Sequence, residues 1–257
     1  MRIIEQSHEI LHMDSLEHIE QAGRTCYKSE DKIGCTVEAW RDCQRKSPKD
    51  MVTPCVDTRC MWHSANKFVQ GIIKRGHEAM IEHGSATVKF ITNRGVTHEL
   101  VRHRLCAFGQ ESTRYVNYGD KEMEFIRPVW IDPDYFDQFG REHDESLLHE
   151  LADRVGSGEG WPMPLEMWTR ACVNAEAEYN RLLNEGWHPE QAREVLPNAL
   201  KTEIVVTANY REWRHIFKLR ALGTTGKPHP QMQALMLPVL REFQERMPAL
   251  FDGLSKE

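Results

Sequence analysis

Between His63 and Asn93 the hydrophobic period changes once, and that change commits the chain to a fold containing both helix and strand. In HSANKFVQGIIKR, Ala65, Phe68, Val69, Ile72 and Ile73 recur at helical spacing, and Gly76 stands where a glycine ends a helix. After GHEAMIEHGS, the segment ATVKFITN alternates and is rich in β-branched residues, the pattern of a half-buried strand, with NRG as the turn leaving it. Farther on, NALKTEIVVTANYREWRHIFKLRAL is ambiguous at its start, where Ile204, Val205, Val206 and Thr207 favour strand; from Asn209 it is helical.

The remaining elements follow the same rules. RIIEQSHEIL is expected as a first strand and SLEHIEQAGRTCYKS as a helix capped by Ser15. VTHELVRHRL resumes a helical pattern, while STRYVNY and MEFIRPVW form a candidate hairpin around GDKE. LEMWTRACVNAEAEYNRLLNEGW is a helix, HPEQAREVLP a short helix stopped by Pro197, and HPQMQALMLPVLREFQERMPALF an amphipathic helix interrupted near Pro238. No repeat or linker divides residues 1–257, so a single domain is expected, with insertions near 35–60 and 132–165.

A net charge of −6 argues against a general nucleic-acid or anionic-membrane binder, so any basic site must be local. Seven cysteines without a C-x-x-C pair, and an N-terminus without an apolar core, indicate a cytoplasmic protein with reduced thiols. The spacings among Cys35, Cys43, Cys55 and Cys60 match no common zinc pattern. His77 and His83 are six apart rather than the four of a helical zinc pair, so no metal is expected.

The local basic site is ELVRHRLCAFGQESTRY, which places Arg102, His103, Arg104 and Arg114 around Ser112. Guanidinium forks and hydroxyls suit a phosphate, although a solvated basic helix end would look the same. Ser112 lies outside a G-x-S-x-G elbow, and no base is suggested beside it, so a hydrogen-bonding role is favoured over a nucleophile. On a continuous helix after Asn209, Trp213, Ile216 and Arg220 share one face with Asn209, while Arg211 and His215 lie nearly opposite. Polar groups on two faces suit a helix touching two sites, as at a subunit junction; one buried and one solvated face is the simpler alternative. Arg193, alone, reads as a surface charge.

RHRLCAFGQES resembles the RHR-x7-S signature of flavin-dependent thymidylate synthases, and RTCYKS, GHEAMIEH, AREVLP and the Asn209, Arg211, Arg220 series flank it in order. The resemblance implies an α+β fold with a mixed or antiparallel central sheet flanked by helices. It implies a homotetramer with FAD that methylates dUMP at C5 to dTMP, using methylenetetrahydrofolate as carbon donor and NADPH as reductant. No enzyme nucleophile is needed, because the flavin carries the hydride and the folate carries the carbon. By the same resemblance, dUMP would be held by Glu99, Arg102, Gln110, Glu111, Ser112, Thr113, Arg114, Arg193 and Arg220. Arg220 would be catalytic, stabilising charge on the uracil ring. Flavin would meet Ala79, Glu82, Arg102, His103, Arg104, Gln110, Asn209, Arg211 and His215, with His77 near the folate.

Three positions depart from the commonest family pattern: Glu99 stands for Gln, Ala79 for a hydroxyl residue and His215 for Asn. An ionised Glu99 cannot donate to a uracil carbonyl, so that contact is lost, rearranged or bridged by water. A related flavoprotein acting on another pyrimidine nucleotide, or a nucleotide-binding protein without catalysis, are the alternatives.

Overall fold

The computed structural model describes residues 1–34, 58–119, 121–132 and 163–255; the expected insertions and the cysteines from 35 to 55 lie essentially outside that set. A four-stranded antiparallel sheet in the order β2-β3-β6-β4 organises the chain. Its strands are β2 (Ser7–Met13), β3 (Ser85–Asn93), β4 (Ala107–Gln110) and β6 (Lys201–Asn209). The long central pair runs in register from Ser85 opposite Asn209 to Asn93 opposite Lys201. Along both strands, buried and half-buried residues alternate strictly, so the apolar period read from ATVKFITN sets the face of the sheet. The strand reading of Ile204 to Thr207 is the one the fold adopts.

The buried face, with Ala86, Val88, Phe90, Ile204 and Val206, is covered by α1 (Leu16–Tyr27), α2 (Thr58–Lys74), α6 (Tyr210–Phe217) and α7 (Pro230–Arg246). Trp213 anchors this layer: its indole N–H donates to the Ala86 carbonyl at 3.0 Å, and its ring packs on Phe217 and Phe243 with centroids 5.6 and 5.3 Å away. Such a buried Trp satisfies its one donor while its rings fill the core. Among the described residues the other α-helices are α3 (Arg94–Leu100), α4 (Met163–Asn184), α5 (Pro189–Ala192) and α8 (Pro248–Phe251), and β1 (Arg2–Ile4) and β5 (Glu124–Ile126) form a small parallel pair. A second, smaller core gathers Tyr118, Phe125, Cys172 and Tyr179.

Several expectations are corrected. RIIEQSHEIL splits into β1 and β2 because Gln6 turns aside to exchange side-chain and backbone hydrogen bonds with Gln231 at 3.0 Å. The hairpin is absent: β5 pairs with β1, and residues 112–118 form turns closed by Tyr115 and Val116 N–H on the Ser112 carbonyl and Arg114 N–H on Ser112 Oγ. NRG is no free turn, since Asn93 caps α3 by accepting from Val96 N–H at 2.8 Å. That helix stops at Leu100, so the RHR triplet sits in tight turns, and β4 follows without having been read from sequence. Ser15 occupies the N-cap position of α1 but its side chain makes no capping bond. Helix α7 passes through Pro238 unbroken, held by buried Leu235, Met236, Val239 and Leu240.

Candidate active site

The helix after Asn209 sets the geometry. Asn209 caps it, accepting from Glu212 N–H at 2.8 Å; Trp213 and Ile216 face the core, and Arg211 and His215 are exposed. The two opposed faces are as expected up to Phe217. Beyond it the chain tightens into a π-helical turn, Lys218–Leu222, closed by Gly223 in the left-handed region at φ 72°. A Cβ at Gly223 would come within 2.9 Å of the Gly226 carbonyl, so only glycine fits. The π turn breaks the continuous 100° progression, and Arg220 leaves the core face to look outward.

There Arg220 makes three contacts. Its Nη1 donates to Glu99 Oε2 at 2.7 Å, its Nη2 to the Glu99 carbonyl at 3.3 Å, and its Nε to His103 Nε2 at 3.2 Å. Glu99, expected beside the pyrimidine, has its carboxylate on Arg220. Both line an open cavity of about 500 Å3 with Thr225, Lys227, Pro228 and His229. His103 is buried, and its Nδ1 lies 3.2 Å from Glu212 Oε1. Burial first, then the charges of Arg220 and His215, push the His103 pKa down to about 4, so the ring is neutral at neutral pH. Cys106 is half-buried near Glu212; burial first, then that carboxylate, push its thiol up to about 12, so it remains a thiol.

A second cluster forms around the turn after β4. Thr113 is buried and accepts from Arg193 Nη1 at 3.4 Å, so Arg193 is no isolated surface charge but reaches the QESTR segment. Arg114 lies 3.5 Å from Glu190 and stacks its guanidinium over Tyr115 at 5.4 Å. Gln110 donates to Thr97 and Thr202 at 2.9 and 3.3 Å. Glu111 is fully engaged: its oxygens accept from Tyr118 O–H at 3.1 Å and Glu203 N–H at 3.2 Å. Burial together with the Glu111 charge raises the Tyr118 phenol above its ordinary range.

The third group lies at the start of β3. Glu82 pairs with Arg211, Glu78 with Arg214 at 3.5 Å, and Ala79 is exposed on the same short 3-10 helix, Glu78–His83. His77 Nδ1 meets Tyr27 Oη at 2.6 Å with the rings stacked, which joins the RTCYKS and GHEAMIEH blocks. Arg102 and Arg104 are exposed and make no ion pair among the described residues. Sequence reasoning missed Glu212 and Tyr27 as site residues: each becomes a neighbour only through folding, across 109 and 50 positions.

Residues 10–249 match the family described as thymidylate synthase complementing protein. A flavin-dependent thymidylate synthase of Corynebacterium aurimucosum is 32% identical over 235 residues, covering 91% of this chain and 78% of the relative. The chain belongs to the thymidylate synthase complementing protein family. A second flavin-dependent thymidylate synthase, from Mycobacterium tuberculosis, is 30% identical over 239 residues, covering 91% of this chain and 77% of its own. Among solved structures, the UMP/dUMP methylase PolB from Streptomyces cacaoi bound with 5-Br dUMP superimposes with a TM-score of 0.65 at 21% identity. That superposition covers 98% of this chain and 96% of PolB, which supports the fold. The family match spans all three clusters described above, from Tyr27 to Arg220.

Proposed function

We propose that the protein is a flavin-dependent thymidylate synthase, converting dUMP to dTMP with methylenetetrahydrofolate as carbon donor and NADPH as reductant. The observation that carries this reading is the Arg220 guanidinium, held from behind by His103 and Glu99 and facing an open cavity. A permanently charged fork placed there is suited to a pyrimidine ring that becomes anionic during reaction.

Arg102 and Arg104, exposed and without an ion pair among the described residues, fit the diphosphate of FAD, an anion that an otherwise acidic chain would repel elsewhere. Gln110, Ala79, Glu82, His103, Asn209, Arg211 and His215 complete the proposed flavin contacts. The Asn209 Oδ1 is spent on the helix cap, so its amide N–H groups are what it offers a ligand. When bound, FAD supplies the hydride chemistry; the chain supplies position and charge.

Ser112, Thr113, Arg114 and Arg193 hold the nucleotide phosphate in this reading. The nearby Glu190 and Glu194 lie at 3.5 and 3.8 Å from the two arginines on exposed surface, pairings weak enough to yield to a dianion. Ser112 Oγ accepts from Arg114 N–H and meets no base side chain among the described residues, so its hydroxyl proton is left to donate to the phosphate. His77, braced by Tyr27, meets the folate in this reading. Leu105 and Tyr115 are 73% and 81% exposed beside the basic segment, as expected where subunits of a homotetramer meet. Free thiols at Cys26, Cys106 and Cys172 accord with a cytoplasmic setting.

The test is anaerobic: protein purified with its flavin is reduced by NADPH, then given methylenetetrahydrofolate with dUMP, UMP and dCMP in competition. Reoxidation with dTMP as the dominant product supports the reading. A protein without bound flavin that forms no dTMP when FAD is supplied would refute it. Because Glu99 alters the pyrimidine end of the site, a related flavoprotein acting on another pyrimidine nucleotide is the second reading, and methylated UMP or dCMP as the main product would favour it.

A further inference from the structure

Glu212 belongs to none of the groups assigned above, yet its carboxylate is buried against the ring that supports Arg220. The contacts allow one arrangement of protons. A guanidinium nitrogen only donates, so His103 Nε2, 3.2 Å from Arg220 Nε, must be the bare acceptor. The single proton of the neutral ring therefore sits on Nδ1, where Glu212 Oε1 accepts it at 3.2 Å.

We propose that Glu212 is a positioning residue for Arg220: it holds the His103 proton on Nδ1, keeps Nε2 open as an acceptor and thereby fixes the guanidinium facing the cavity. The opposite tautomer would set Nε2–H against Arg220 Nε–H, two donors at 3.2 Å, and turn the guanidinium away. The remaining groups around His103 do not supply this function. His215 meets the ring edge-on at 5.9 Å, Cys106 is a neutral thiol, and Glu99 contacts Arg220 rather than His103. The donor atoms of His103, Glu212 and His215 lie within 4.8 Å of one another, as a cation site would require. A cation there would displace either the Nδ1 proton or Arg220 from His103, so the hydrogen-bonded arrangement and a metal exclude each other.

The effect on turnover rests on the role proposed for Arg220, whereas the proton arrangement does not. The test is therefore in two parts, on the full-length protein carrying 15N-labelled histidine and arginine. Without substrate, NMR should show His103 as the Nδ1–H tautomer and the Arg220 Nε–H exchanging slowly with water. Glu212→Ala should populate the Nε2–H tautomer and speed that exchange. Glu212→Gln, which keeps an acceptor at Oε1, should restore both. In steady state, Glu212→Ala should lower kcat on the order of 10- to 100-fold with little change in KM for dUMP, as for a misplaced reacting group. Across the variants, turnover should follow the tautomer. A wild-type His103 in the Nε2–H form, a fast-exchanging Arg220 Nε–H, or a Glu212→Ala enzyme with altered tautomer and full turnover would each overturn the proposal. A wild-type protein that forms no dTMP but shows the expected spectrum would instead refute the assigned reaction.

Discussion

Replacing Arg220 with lysine separates charge from geometry at the proposed catalytic centre. Arg220 uses three nitrogens on two residues: Nη1 and Nη2 on Glu99 at 2.7 and 3.3 Å, and Nε on His103 at 3.2 Å. A lysine ammonium is a single point on a flexible stem, so it can keep the Glu99 pairing but cannot at the same time fill His103 Nε2 and present a second N–H to the cavity. The ground-state cost is small, because the Arg220 and Glu99 side chains are 23% and 33% exposed; about 1 kcal/mol of folding stability is at stake. The transition-state cost is larger: losing one preorganised donor toward developing charge is worth about 2.7–4 kcal/mol, or roughly 100- to 1000-fold in kcat. Binding of dUMP should weaken by less than about fivefold, near 1 kcal/mol, because the phosphate is held by the separate Ser112–Arg193 cluster. Single-turnover kinetics at saturating dUMP, beside calorimetric titration of dUMP and a thermal melt, read the three quantities apart. Equal loss in turnover and in dUMP affinity would refute the reasoning, since Arg220 would then bind substrate and transition state alike.

Ser112→Ala removes a phosphate donor and the acceptor for Arg114 N–H at 3.2 Å; dUMP affinity should fall by about tenfold, roughly 1.4 kcal/mol, with measurable turnover at saturation. Loss of all turnover with dUMP binding intact would restore Ser112 as a nucleophile. Glu99→Gln removes the negative charge 2.7 Å from Arg220 and should tighten dUMP about two- to fivefold by titration, from roughly 0.5–1 kcal/mol of relieved pairing; weaker binding would contradict the reading that Glu99 offsets part of the Arg220 charge. Acid should destabilise the fold through His103: its pKa falls from 6.5 to about 4 on folding, so between those values the unfolded chain binds the extra proton and stability is lost as pH drops. The loss approaches at most about 3 kcal/mol by pH 4. Glu212, raised from its ordinary 4.5 by burial, acts in the opposite direction, so the slope is read between pH 5.5 and 6.5, next to the unfolded His103 value of 6.5. Urea melts across that range should flatten in His103→Gln, and an unchanged slope would show that His103 is not the titrating group.

What the chain disclosed in advance was whatever its own neighbours decide. The alternation in β3 and β6, the helical period of α2 and, as far as Phe217, the buried and exposed faces of the helix after Asn209 are local patterns that the fold keeps. What it withheld was settled by partners far along the chain. The first strand breaks at Gln6 because of Gln231, 225 positions away, and α7 survives Pro238 because its buried face is paired with the sheet layer. The site divides the same way. The residue types for binding an anion were visible at Arg102, Arg104, Arg114 and Ser112, whereas the coupling of Glu99, His103, Glu212 and Arg220 appears only when the segment 99–103 meets the segment 212–220. Glu99 makes the difference concrete. Considered as a departure from Gln, it is a donor lost to a pyrimidine; beside Arg220 it is the acceptor that sets one edge of the guanidinium while His103 sets the other. A substitution that looks like damage to a binding contact is, in this fold, one end of a four-residue hydrogen-bonded support. Its effect on dUMP should accordingly be read through Arg220 rather than through direct contact.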